Sequence, residues 1–276
     1  MAFAMSLRRN AYLATVVACA ASWSPAACAK PTAGAAQAAS AAKLRLKVVR
    51  TLPHDSSAFT QGLLFFEGKF YESTGLYGRS SLRRVDPDSG MVERRADLPA
   101  DLFGEGLARV GGHLFQLTWQ NGRALVWNLA TLRKEREIPY QGEGWGICFD
   151  GRHLIMSDGG DTLTLRDPES FAKVGKIMVR RAGQPVRNLN ELECVDGIVY
   201  ANVWQDSHIA RIDPRTGEVT GWIDASGLLA PEEARAADVL NGIAYLPATG
   251  HLVLTGKLWP RIFEVEIVPD TPPAAK

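Results

Sequence analysis

What this chain lacks first is an excess of either charge. Its 31 basic and 30 acidic side chains leave a formal net charge of +1, with no long block of one sign, so a nucleic-acid partner is not expected. Past the first thirty residues no apolar run approaches the ~20 residues needed to cross a bilayer, and no membrane span is expected there. Histidine is scarce and unpatterned. There is no H-E-x-x-H, no C-x-x-C, no G-x-S-x-G and no Walker sequence. His113, His153 and His251 each follow a hairpin turn (GGH, GRH, TGH), at the end opposite the candidate site described below, and His54 and His208 are isolated. A histidine-bound catalytic metal is therefore not expected, and no cofactor is called for.

Cysteine is equally sparse. Of four, Cys19 and Cys28 fall in an N-terminal leader: Arg8 and Arg9, an apolar run from Ala11 to Ala21, then Ala27-Cys28-Ala29 as an A-x-A cleavage site. The leader predicts a signal peptide over 1–29 and a periplasmic or secreted protein. Lipid anchoring through Cys28 is the lesser reading, because Pro25 stands where a lipobox carries Leu. An Ala-rich spacer without periodicity, 30–43, then precedes a domain over 44–270. Cys148 and Cys194 remain, each three residues before a turn glycine (CFDG, CVDG). Buried free thiols are expected there rather than a disulfide, since sequence does not show whether their Cβ atoms approach.

What the chain does have is a repeat. FGEGLARVGGHLFQLTW, from Phe103, reads as an apolar strand, a glycine turn and a second strand ending in an aromatic residue, which is hairpin patterning. The pattern recurs in QGLLFFEGKFYESTG, WGICFDGRHLIMSDG, NELECVDGIVYANVW and NGIAYLPATGHLVLTGK. Equivalent positions 61, 105, 145, 190 and 241 are separated by steps of 44, 40, 45 and 51 residues. Five units at that period predict an all-β chain folded as a five-bladed β-propeller, since four-stranded blades repeat at ~40–50 residues. Outer hairpins turn on VDPDSG, WNLATL, RDPESF and IDPRTG. The last unit has only three strands. Leu44–Arg50 alternates apolar and polar residues, so this N-terminal strand is expected to supply the fourth and close the ring. Two connections are long, Arg180–Leu189 and Ala225–Leu240, and the second carries a short helix near Pro231–Ala237.

The repeat also predicts a site. Gln61, Glu105, Trp145, Asn190 and Asn241 begin the innermost strands and should ring one mouth of the channel. Trp119 and Trp204 each lie 14 residues after Glu105 and Asn190, and Lys257 lies 16 after Asn241. An antiparallel hairpin returns all three to that rim. One carboxylate, three indoles, an ammonium and three carboxamides make a small-molecule site rather than a packed core.

These residues carry a resemblance. FTQGL, ESTGLYGRSSLRRVD, FGEGL, LTW, GEGWG, NELE, NVW, LNGIAY and LTGKLWP resemble the glutaminyl-peptide cyclotransferases (glutaminyl cyclases) of plant and bacterial type, from about Thr51 to Val268. The resemblance implies a five-bladed propeller that converts N-terminal glutamine of peptides or proteins to pyroglutamate with release of ammonia. It implies Glu105 as the catalytic acid/base, and Gln61, Trp119, Trp145, Asn190, Trp204 and Lys257 as site residues. Lys257 is placed with Glu105 in catalysis, as a group that stabilises charge on the carboxamide oxygen. No metal or cofactor follows, and a monomer is expected. Two other readings fit the same rim: a non-enzymatic periplasmic propeller that binds a small ligand, and a metal-dependent, lactonase-like propeller. The latter needs converging carboxylates, whereas Glu105 is the only acid among the five inner-strand starts.

Overall fold

The computed structural model describes residues 41–270, so the leader and nearly all of the spacer lie outside the described residues. The described residues are all-β apart from one short helix. Strand β1 (Ala42–Pro53) is followed by three four-stranded antiparallel sheets, each taking its strands in chain order. These are β2 (Thr60–Phe66), β3 (Lys69–Thr74), β4 (Ser81–Val85) and β5 (Val92–Asp97); β6 (Gly104–Val110), β7 (His113–Thr118), β8 (Arg123–Asn128) and β9 (Lys134–Pro139); and β10 (Ile147–Phe149), β11 (Leu154–Met156), β12 (Thr162–Arg166) and β13 (Lys173–Met178). The first long connection folds into a two-stranded ribbon, β14 (Arg180–Arg181) with β15 (Gln184–Pro185). Then come β16 (Leu189–Val195), β17 (Ile198–Val203), β18 (His208–Ile212) and β19 (Val219–Asp224). After them lie α1 (Pro231–Ala234), shorter than the helix read from the sequence, and β20 (Leu240–Leu246), β21 (His251–Gly256) and β22 (Arg261–Pro269).

The N-terminal strand does pair with the last unit. β1 runs antiparallel to β22 from Leu44↔Pro269 to Pro53↔Arg261, with a bulge between Val48 and Arg50. Its far side adds a contact that the alternation did not announce: Ala42–Arg45 pair in parallel with Gly221–Asp224 of β19. The strand thus starts at Ala42, inside the stretch read as spacer, and joins the fourth and fifth sets into one eight-stranded sheet, β16-β17-β18-β19-β1-β22-β21-β20.

Side chains alternate across each strand, so each sheet offers apolar residues to both neighbours. Leu64, Tyr71 and Leu82 of the first set pack on Leu107, Leu114 and Leu125 of the second. Phe115 and Val126 of the second meet Ile147 and Leu154 of the third. Ile155 and Leu163 pack on Leu192 and Val199. Ile209 and Ile223 pack on Ile243 and Leu254. Ala244 and Val253 return to Leu63 and Phe70 of the first set, with Leu52 of β1 beside them.

The expectation of free thiols is corrected. Cys148 on β10 and Cys194 on β16 form a disulfide with their Cα atoms 5.5 Å apart. The reason is spatial: equivalent points of neighbouring inner strands face each other across the interface between the third and fourth sets, within the reach of a bridge. The histidines also need revision, because His54 is not isolated. It is buried, with Nε2 2.9 Å from Glu72 Oε1 and Nδ1 2.6 Å from the Trp259 carbonyl. His208 pairs with Asp206 and stacks on Trp222.

Removing residues 44–50 leaves β19 and β22 with unpaired edges, so the truncated protein is expected to lose its single cooperative unfolding transition; unchanged melting by circular dichroism would show that β1 closes nothing. Replacing both cysteines by serine removes a bridge between residues 46 apart, worth about 4 kcal/mol in the chain-entropy account. The thermal midpoint should fall by several degrees, and an equal midpoint for the oxidised wild type and the double variant would contradict a formed bridge.

Candidate active site

The rim is built by a device that repeats at four of the five inner strands. In β2, β6, β16 and β20 the pairing register slips at the second residue: between Thr60 and Gly62, Gly104 and Leu107, Leu189 and Leu192, Leu240 and Ile243. A bulge re-aims the side chain it carries. Those bulges hold Gln61, Glu105, Asn190 and Asn241. In the third set the strand proper begins only at Ile147, and Trp145 sits just ahead of it, its amide donating to the Ser157 carbonyl at 3.0 Å.

The returning strands are pinned by equivalent bonds. Trp119 N–H donates to Phe103 O at 3.0 Å, Trp204 N–H to Asn188 O at 2.8 Å and Lys257 N–H to Val239 O at 3.0 Å. Each acceptor lies two residues before a bulged residue, so the hairpin argument from spacing places these three side chains correctly. At Lys257 the turn is tightened further. Leu258 takes φ 61°, and a Cβ at Gly256 would run into the Trp259 indole, which is itself held by the Asp238 carbonyl at 2.8 Å.

Together they line one cavity of about 460 Å³, within the ordinary range for small-ligand sites. Gln61, Glu105, Trp119, Trp145, Asn190, Trp204 and Lys257 all face it. Asn241, read from sequence as a rim residue, does not. It is fully buried behind Gln61, where Nδ2 donates to Gln61 Oε1 at 3.1 Å and to Thr60 O at 3.0 Å. The Gln61 amide, so oriented, donates from Nε2 to Glu105 Oε1 at 3.0 Å. Asn190 is buried and its Oδ1 has no hydrogen-bond partner among the described residues. Residues that the sequence argument missed also line the wall: Phe59, Phe103, Gln205, Asp238 and Val239. Two had a signal. Phe59 and Phe103 both stand two residues before a bulged site residue, in FTQGL and FGEGL.

The aromatic rings form two groups. Phe103 meets Phe59, Tyr77 and Trp119 edge to face at 6.2, 5.3 and 5.6 Å between centroids, and Trp145 meets Trp204 at 5.7 Å. The Lys257 ammonium lies 4.8 Å above the Phe59 ring, a favourable cation–π placement.

Burial governs the charges. It pushes the Glu105 carboxyl well above the usual carboxylate range; Lys257 nearby opposes this and Glu143 adds to it. Burial likewise depresses Lys257, against the attraction of Glu105 and Asp238. Both groups are thereby drawn towards their neutral forms, the condition in which a carboxyl can both take and return a proton near neutral pH. Among the described residues no three His, Cys, Asp or Glu side chains converge as a metal set.

The chain is similar to known proteins over most of its length. A family model described as glutamine cyclotransferase matches residues 16–267. A glutaminyl-peptide cyclotransferase of Arabidopsis thaliana is 43% identical over 227 residues, covering 80% of this chain and 71% of its own. The crystal structure of Myxococcus xanthus glutaminyl cyclase superposes with a TM-score of 0.76 at 42% identity, over 84% of this chain and 100% of that one. A chain matched over nearly its whole length, and bearing the acid, the indoles and the lysine in one cavity, belongs to the glutamine cyclotransferase family.

Proposed function

We propose that this protein cyclises the N-terminal glutamine of peptides or proteins to pyroglutamate, releasing ammonia, with Glu105 as the group that moves the proton. Family membership supports the reaction, and the buried Glu105 carboxyl with its raised pKa, held by Gln61 at the floor of an aromatic cavity, supports the mechanism. The substrate's neutral α-amine attacks its own γ-carboxamide carbon. Glu105, ionised, takes a proton from the attacking nitrogen as the tetrahedral intermediate forms, then gives it to the departing nitrogen, which leaves as ammonia when the C–N bond breaks. Lys257 offsets the charge that develops on the carboxamide oxygen. Asn190 Oδ1, a buried acceptor without a partner among the described residues, receives a substrate N–H. Trp119, Trp145 and Trp204 hold the side chain folded for ring closure and exclude the water that would hydrolyse the amide.

The same reading extends to architecture and location. Five sets of strands, each packed on the next with the last returning to the first, support a five-bladed propeller with β1 as the closing strand. The Cys148–Cys194 bridge supports an oxidising destination, in keeping with the export signal over 1–29 and a periplasmic or secreted protein. N-terminal sequencing of the exported chain is expected to begin near Lys30, and an intact Met1 on the mature protein would overturn this.

Glu105→Gln keeps shape and hydrogen bonding but removes the proton acceptor. Turnover of a Gln-initiated peptide, followed as ammonia loss by mass spectrometry, should fall ~10²–10⁴-fold while binding persists. In the wild type kcat/KM should fall as pH drops through the raised pKa of Glu105. In the variant only the substrate amine, with an unperturbed pKa of about 7.7–8.0, still limits that side. Stability should move the other way. A carboxyl whose folded pKa exceeds its unfolded value favours the fold at low pH and loses that contribution as pH rises through the folded value. Glu105→Gln should therefore hold or raise the thermal midpoint at neutral pH. Wild-type turnover, or a collapsed midpoint with unchanged turnover in the folded fraction, would return Glu105 to a structural role.

A further inference from the structure

Glu143 does not line the cavity, yet its carboxylate ties together two residues that do. A single oxygen, Oε2, accepts hydrogen bonds from two indoles at once, Trp119 Nε1 at 2.8 Å and Trp145 Nε1 at 3.0 Å, while Oε1 accepts from Gln120 Nε2 at 3.0 Å. The loop is fixed from beneath as well, because Gly144 N–H donates to Trp119 O at 2.9 Å. An indole has one donor and its orientation rests on two side-chain torsions, so holding Nε1 on a fixed acceptor removes most of the ring's freedom. The free faces are already engaged. Trp145 lies against Gly159, where a Cβ would come within 2.8 Å of the ring, and Trp119 rests on Phe103.

We propose that Glu143 is a positioning residue for cyclisation: through one carboxylate oxygen it locks the Trp119 and Trp145 indoles, from neighbouring sets, into the orientation in which the cavity folds a glutamine side chain for ring closure. The proposal rests on the cyclase reading of the site. The carboxylate is suited to the task because it stays ionised. Partial burial works against the charge, but the bonds from Trp145, Gln120 and Trp119 hold its carboxyl below the usual range, and charge-assisted bonds are the stronger kind. The charge acts on the reacting group too. The groups facing Glu105 are the Lys257 ammonium, itself beside Asp238, the Tyr140 phenol, the Gln61 amide and Glu143. Of these Glu143 is the one anion near neutral pH that opposes ionisation of Glu105 directly, against the pull of Lys257.

Two substitutions separate the clamp from the charge. Glu143→Ala removes both. Glu143→Gln removes the charge but keeps a carbonyl for the two indoles, with Gln120 able to turn its own carbonyl towards the new amide. In Glu143→Ala, kcat/KM for a Gln-initiated peptide should fall roughly 10- to 100-fold, as misplacement of a substrate-holding wall does, with an altered near-UV circular dichroism signal from the freed indoles. Glu143→Gln should recover kcat/KM to within about threefold at its optimum, while the acidic limb of the pH profile moves to lower pH because the repulsion on Glu105 is gone. In a Trp119→Phe/Trp145→Phe background, which has no indole N–H to hold, Glu143→Ala should cost little more, since the partners act as one unit. That cycle also serves if the alanine variant folds poorly. Wild-type kcat/KM and near-UV signal in Glu143→Ala, or losses that simply add on the phenylalanine background, would overturn the clamp; an unmoved acidic limb in Glu143→Gln would overturn the role of the charge. A wild-type protein that releases no ammonia from the peptide would sink the cyclase reading instead, and the near-UV signals would still report on the clamp.

Discussion

The inner strands stand closer together than ordinary side chains permit, and the rest of the structure follows from that approach. A Cβ at Gly106 would lie 2.7 Å from Gly146 Cα and from Ile147 N, and one at Gly146 would collide with the Asn190 carbonyl. Gly106 N–H uses the proximity to donate to Trp145 O at 2.7 Å. The slot after the site residue is glycine in four sets (Gly62, Gly106, Gly146, Gly242) and Glu191 in the fourth. That exception fills the space the glycines leave. Glu191 is fully buried and its two oxygens accept Leu63 N–H at 3.2 Å and Ile243 N–H at 2.9 Å, reaching from β16 to β2 and β20. Burial, with Glu193 beside it, pushes its carboxyl well up. Glu193 repeats the contact one step further along by accepting Tyr245 N–H at 3.0 Å, and its pKa is raised to about 8. Buried carboxyls of this kind are tolerable because backbone amides satisfy them.

Close approach also explains the chemistry at the rim. With glycine facing the neighbouring strand, the residue before it, carried on a bulge, is free to turn towards the mouth, and side chains from different sets meet there. The chain Asn241–Gln61–Glu105 is the clearest product: one carboxamide fixes the next, and the second presents its N–H to the acid. A carboxyl in this setting is desolvated yet not stranded. Its raised pKa comes from burial; the through-space attraction of Lys257 moderates it and the charge of Glu143 adds to it. The ring of backbone contacts fixes where the acid sits, and the side chains around it set how readily it holds a proton.

The sequence made the repeat and seven of the twelve cavity-lining residues legible because hairpin spacing is a covalent fact: a residue about 14 positions along an antiparallel pair returns near its start. The bulges were not legible, since a register slip leaves no compositional mark beyond the glycines, and so Asn241 was placed on the rim when it lies behind it. The disulfide escaped for a related reason. CFDG and CVDG showed that Cys148 and Cys194 occupy equivalent positions, but not that equivalent positions on adjacent strands come within 5.5 Å between Cα atoms. The second partner of β1 was hidden because pairing with β19 in parallel involves only four residues. Glu143, inside GEGWG, carries no signal of its own, because one of the two indoles it holds, Trp119, is 24 residues away in the chain and is brought to it only by the fold.

The absence of a serine, cysteine or histidine nucleophile from this cavity is intelligible once the reaction is considered as a loop closure. The substrate brings its own nucleophile, four bonds from the carbon it attacks, so a covalent intermediate would add steps without shortening the distance. What an unassisted glutamine lacks is a folded side chain, a proton carrier and protection from competing water. An apolar wall supplies the first and third, since aromatic rings fill space at little cost in side-chain entropy. Under the proposed mechanism one desolvated carboxyl supplies the second, because the proton leaves one nitrogen and arrives at another within the same small ring. A second ionised acid on the cavity floor would work against this, drawing water in and stabilising the ammonium form of the attacking amine. The anion whose charge acts directly on Glu105, Glu143, is instead engaged from behind the wall, where two indoles and a glutamine occupy its oxygens.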